Sequence, residues 1–99
     1  MKLYFSVVAI VLMSATASMT KEPMPTASEL AEALAKQTKK PVSPAGVRPM
    51  KCEGFAEEPT EFECRWAQKV GEKWLRYSTY FAVEQNGWAV IDWPPSKLK

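Results

Sequence analysis

Carboxylates and two cysteines are the chemistry-bearing side chains of this 99-residue chain, which has no histidine and a single aspartate, Asp92. Without imidazole there is no Ser-His-Asp or Cys-His nucleophile, no histidine metal site and no histidine pH switch. Catalysis by carboxylates alone would need two of them facing each other across a cleft, with one held protonated. The candidates Glu57, Glu58, Glu61, Glu63 and Asp92 fall in a polar loop or at strand positions that imply no pocket, and they read as solvated charge. Two cysteines and scattered glutamates make neither a tetrahedral site nor a calcium loop, and there is no glycine-rich phosphate loop. The sequence therefore predicts no metal, no cofactor and no enzymatic activity.

A second set of residues offers binding rather than bond-making. Arg65, Trp74, Arg76, Tyr80, Ile91 and Trp93 combine large rings with guanidinium groups, the residue types that dominate interface hot spots because they bring much area for little rotamer entropy. They act together only if one surface gathers them, so the question passes to the elements that carry them.

Those elements begin after a targeting segment. Lys2, the apolar run Leu3 to Met13 and the small residues Ala15-Thr16-Ala17 have the layout of a secretory signal peptide cut after Ala17. The apolar run is too short for a stable membrane span, so no lasting membrane insertion is expected after cleavage, and the address is secreted or periplasmic. Cys52 and Cys64 then lie in the exported part, where thiols oxidise, and a structural disulfide between them is expected. Their spacing is not the C-x-x-C of redox-active pairs.

Residues 18–25 hold two prolines without periodicity and read as a flexible arm ahead of a single domain spanning 26–99. Thr26-Ala27-Ser28-Glu29 fits a capping box. Ala27, Leu30, Ala31, Leu34 and Ala35 follow as one apolar helical stripe, Lys36, Lys39 and Lys40 suit the C-terminal end of the dipole, and Pro41 stops the helix. Val47 to Cys52 is a short extended segment that Pro49 pushes to a sheet edge, and Glu53 to Thr60 reads as an acidic loop closed by the disulfide.

Glu61 to Lys69 alternates strictly and predicts a half-buried strand. Gly71-Glu72 as a two-residue turn pairs Val70 with Lys73, Trp66 with Tyr77 and Phe62 with Phe81. Asn86-Gly87 as a second turn pairs Gln85 with Trp88, Val83 with Val90 and Ala82 with Ile91. One face then reads Phe62, Cys64, Trp66, Leu75, Tyr77, Phe81, Val83, Trp88 and Val90, and Leu30 and Leu34 are available to cover it. The expected fold is α+β: one N-terminal helix on a three- to four-stranded antiparallel meander, with one disulfide.

The other face keeps Arg65, Trp74, Arg76, Tyr80, Ile91 and Trp93. It is a partner surface, unless the tail Pro94 to Lys99 or the acidic loop folds over the rings, or the sheet curls to bury part of both faces. The expected partner is a protein or cell-envelope component. Nucleic acid is not expected, because a net charge of +2 has no clustered excess behind it.

The closing stretch Asn86 to Asp92 resembles the last hairpin of cystatin-like and nuclear-transport-factor-like α+β domains. Gln68-Lys69-Val70-Gly71 is similar to the Gln-x-Val-x-Gly hairpin of cystatins with one residue missing, and Trp93-Pro94 inverts their Pro-Trp. The resemblance implies inhibition of an extracellular hydrolase through the hairpin loops at Gln68 to Glu72. As a whole, a signal segment, one helix and a bridged, Trp-rich meander resemble small exported bacterial α+β proteins.

Overall fold

The computed structural model describes residues 23–99, so the signal segment and most of the arm lie outside the described residues. Pro25, placed in the arm by its composition, is buried. Helix α1 (Ala27–Thr38) starts at the capping box, where Thr26 Oγ1 accepts from the Glu29 amide at 3.1 Å and the Glu29 carboxylate accepts from the Thr26 amide at 2.9 Å. These two bonds satisfy donors that the first helical turn leaves open. Leu30, Ala31, Ala33 and Leu34 are buried, so the covered stripe is one residue wider than the i, i+3, i+4 spacing indicates.

The helix ends one residue before the lysine pair. Lys39 adopts the left-handed conformation with φ 62° and donates its amide to Ala35 O at 2.7 Å. An L-residue pays about 1–2 kcal/mol there and glycine does not. Lys39→Gly is therefore expected to stabilise the fold by about 0.5–1 kcal/mol, roughly 2–8 °C in thermal midpoint for a domain of this size. A midpoint that stays the same or falls would contradict the assigned cap.

A single 3-10 turn (Pro44–Gly46) leads into an antiparallel sheet of β1 (Val47–Phe55), β2 (Glu58–Val70), β3 (Lys73–Glu84), β4 (Gly87–Val90) and β5 (Ser96–Lys97). The order is β1-β2-β3-β4, with β5 pairing with β3 beyond the end of β4. The fold is α+β, as the patterning indicates, with a short fifth strand added.

The β2–β3 register is the one that Gly71-Glu72 dictates: Val70 opposes Lys73, Trp66 opposes Tyr77 and Phe62 opposes Phe81. Gly71 has φ 64°, which the first position of a II′ turn requires. The β3–β4 register departs from the Asn86-Gly87 expectation. Glu84 opposes Gly87, Val83 opposes Trp88 and Phe81 opposes Val90, so the loop is Gln85-Asn86. A turn centred on Asn86-Gly87 needs positive φ at both, and only Gly87, at φ 110°, has it. The slip is two residues, which preserves the faces but moves Val83 toward the open end, where it is exposed.

The acidic loop is also a correction. Glu53 to Phe55 continue β1 and Glu58 begins β2, so the segment is a tight hairpin. Its register follows from Cys52 and Cys64, direct cross-strand partners joined by a disulfide, as far as Gly54 opposite Phe62, and then shifts so that Phe55 opposes Glu58. Met50 makes an irregularity in β1 just after Pro49, an edge-strand device that limits pairing with further chains.

The core lies between α1 and the sheet. Trp66, Phe81, Leu30 and Leu34 are at most 1% exposed. Trp66 meets the edge of Phe81 at 5.7 Å and tilts on Tyr77 at 5.8 Å, while Phe62 tilts on Trp88 at 5.6 Å, arrangements that suit the aromatic quadrupole. The Trp66 indole N–H donates to Gln68 Oε1 at 3.1 Å. α1 contacts both β1 and β4, strands that a flat sheet would hold about 14 Å apart. The sheet therefore curls around its helix.

Candidate functional site

Alternation along β2 and β3 sends Glu61, Glu63, Arg65, Ala67, Lys69, Trp74, Arg76, Ser78, Tyr80 and Ala82 to the side away from α1. β1 adds Arg48, Lys51 and Glu53 through its pairing with Ala67, Arg65 and Glu63. Ala67, Ser78 and Ala82 are buried on this outer side; Ala67 stands between the long side chains of Arg48 and Arg76, and Ser78 and Ala82 are flanked on both sides by paired strands.

Of the six residues singled out from the sequence, five divide between two ends of that face, and Trp93 lies beyond β4. Arg65, Trp74 and Arg76 lie toward the β2–β3 turn. Trp74 is half-buried, with the Arg48 guanidinium 3.8 Å from its ring centroid. Such a stack is worth about 0.5–1 kcal/mol at an exposed site. The Arg76 guanidinium donates to the Lys99 carbonyl, and the Leu98 amide donates to Arg76 O.

Tyr80 and Ile91 lie toward the other end, neighbours across the β3 edge through the Ile91 amide bond to Tyr80 O at 2.9 Å. Trp93 follows, exposed, in a turn with a cis Trp93-Pro94 bond. Thr79, buried, donates its hydroxyl to the Asp92 carbonyl at 2.5 Å, which fixes where this turn leaves the sheet.

The tail does not fold over the rings. It runs along the β3 edge, with Tyr77 opposite Lys97 and Ser78 opposite Ser96. Tyr80, Ile91 and Trp93 remain 42%, 46% and 39% exposed. Phe55, 40% exposed, joins them with its ring 5.9 Å from that of Tyr80. Phe55, Tyr80 and Ile91, together with Glu57, Glu58, Glu61 and Asp92 but without Trp93, line an open depression of about 430 Å³.

The carboxylates that looked scattered in sequence are therefore neighbours, Glu63 excepted, because the hairpin folds Glu57 and Glu58 back toward the end of β4. Among the described residues no three acidic or cysteine side chains come close enough to hold a metal ion.

Sequence reasoning missed Phe55 and Arg48. The disulfide carried part of the missing signal for Phe55: counting outward from Cys52 opposite Cys64 extends the pairing to Glu53 and Gly54, after which the register shifts and Phe55 opposes Glu58. Arg48 had no such marker. Of the segment Gln68 to Glu72, singled out by the cystatin resemblance, only Gly71-Glu72 form the turn; Gln68 to Val70 belong to β2, with Val70 exposed and Gln68 engaged by Trp66.

Among the described residues no helix is long and apolar enough to cross a membrane, and the Cys52 to Cys64 disulfide suits an oxidising compartment. No protein-family model, no curated protein and no solved structure matches the chain.

Proposed function

We propose that this chain is an exported, non-catalytic binding domain that holds a protein or cell-envelope component against the outer face of its sheet. The observation that carries the reading is the cluster of Phe55, Tyr80 and Ile91, three large apolar side chains left uncovered around one depression of the sheet. Neighbouring exposed apolar groups mark interaction surfaces, whereas isolated ones need no explanation. Strand positions also hold their rings with little entropy left to lose on binding.

The carboxylates around the cluster favour binding over catalysis. The depression is open, and Glu57, Glu58 and Asp92 are exposed, whereas a carboxylic acid catalyst needs an enclosed setting that keeps its proton. Export is supported by the signal-like segment ending at Ala17 together with the disulfide.

Two experiments test this reading. Intact mass of the protein recovered outside the cytoplasm should correspond to a chain starting at Ser18 with no alkylatable thiol; an intact Met1 or two free thiols would remove the export claim. The Tyr80→Ser/Ile91→Ser variant should keep its thermal midpoint within a few degrees, since both residues are exposed. It should lose at least about ten-fold in recovery of whatever component the wild type captures from the cell envelope, the size expected of a hot spot. Equal recovery by both proteins would dispose of the outer face as the binding surface.

A further inference from the structure

Charge on the outer face is sorted along the strands. From the β2–β3 turn, the first cross-strand row pairs Lys69 with Trp74, the next sets Arg48 and Arg76 on either side of Ala67, and the third carries Lys51 and Arg65 beside Ser78. The sign then changes once. The fourth row carries Glu53 and Glu63 beside Tyr80, and beyond it lie Glu61 and the acidic depression. Lys51 and Glu53 meet at that boundary, 3.2 Å apart. A nearly neutral chain thus presents one basic half and one acidic half on a single face, and the apolar rings left open lie chiefly on the acidic half.

We infer that the occupant of this face is a second copy of the chain, docked face to face about a twofold axis that crosses the strands between the third and fourth rows; the inference rests on the proposed docking role of the outer face. Such an axis reverses the strand direction of one sheet over the other. Lys51 and Arg65 then face Glu53 and Glu63 of the second copy, in both directions at once. Arg48 comes over the Phe55 end of the second copy, and the uncovered rings leave water. The contact is isologous and closes at two.

Charge complementarity is what selects this occupant. A uniformly basic segment would be drawn to one half and repelled by the other, and an acidic one the reverse. The matching surface carries both signs in opposite order at the same spacing, about 7 Å per row, and this chain turned end for end is such a surface.

The test uses the exported, disulfide-bonded protein. Light scattering and sedimentation equilibrium at low ionic strength should give a dimer at tens of micromolar protein, with affinity at least about ten-fold weaker in 1 M NaCl, where charge is screened within roughly 3 Å.

Two reversal variants, Lys51→Glu/Arg65→Glu and Glu53→Lys/Glu63→Lys, make the facing rows of like sign. Each alone should be folded by circular dichroism and monomeric, and an equimolar mixture should associate one to one. Dimerisation of either variant alone, or a mixture that stays monomeric, would overturn the twofold arrangement. A wild-type protein that is monomeric at 100 µM in low salt would overturn self-association altogether. That result leaves the docking role itself to the Tyr80→Ser/Ile91→Ser capture experiment, which does not depend on a dimer.

Discussion

Trp66→Ala is expected to remove about 3–5 kcal/mol of stability, enough to leave a domain of this size largely unfolded at 37 °C. Trp66 is 1% exposed and stands at the centre of the covered face, against Phe81 and Tyr77, with its indole N–H held by Gln68. Its removal opens a cavity bounded by other core groups and leaves the Gln68 carbonyl without its donor, and the sheet cannot collapse into the space because its ladders and the disulfide fix the strand spacing. Trp74→Ala is the control in the same sheet. Trp74 faces the other way and is held by one cation-π stack with Arg48, so its loss is expected to cost about 1 kcal/mol or less. Chemical denaturation of both variants checks the pair. Equal losses would mean that the two faces are not distinguished as described.

The second large effect is removal of the disulfide. Cys52 and Cys64 are cross-strand partners in the covered face, 2–6% exposed, with a sequence separation of 12. Closing a loop of this length restricts the unfolded chain by roughly 3 kcal/mol, with a measured range of about 2–4 kcal/mol for such bonds. Cys52→Ser/Cys64→Ser should lose that amount and slightly more, because two buried hydroxyls replace apolar sulfur. The bond also holds the β1–β2 hairpin that carries Phe55, Glu57 and Glu58. Reduction should therefore loosen the acidic end of the outer face before the rest of the fold, visible as faster amide exchange over residues 53–60 than over the β2–β3 turn. Identical exchange at both ends in the reduced protein would contradict this coupling.

How far the molecule was legible in the sequence depended on where local chemistry leaves one answer. Gly71 was decisive: with a two-residue turn and strict alternation on both sides, the whole β2–β3 ladder followed, and with it the separation of Trp66 from Trp74. Asn86-Gly87 was ambiguous because the same dipeptide serves two turn geometries, one with both residues central and one with the glycine following the turn. The structure adopts the second, which moves each β4 partner by two residues and exposes Val83. The segment Glu53 to Thr60 looked like a loop because its acidic composition outweighed a short alternation. What made it a hairpin was a non-local constraint, the cross-strand pairing of the cysteines.

The site was legible in part for the same reason. Tyr80 was placed on the outer face by its register alone, and Ile91 keeps the face that its parity gives it in either turn geometry. That Glu57, Glu58, Glu61 and Asp92 surround a common depression depends on how two hairpin ends meet in space, which no local pattern encodes. The course of the tail along the β3 edge was equally hidden, although it decides that the rings stay uncovered.

The most direct measurement of the outer face as a docking surface compares two positions of one photo-crosslinking residue in the cells that make the protein. At Tyr80 it faces the proposed partner, and at Glu32 it stands exposed on the helix at the opposite side of the molecule. The account predicts a discrete higher-mass adduct, of a second copy or of another component, from position 80 and none from position 32. Adducts of equal yield from both positions, or from position 32 alone, would contradict it.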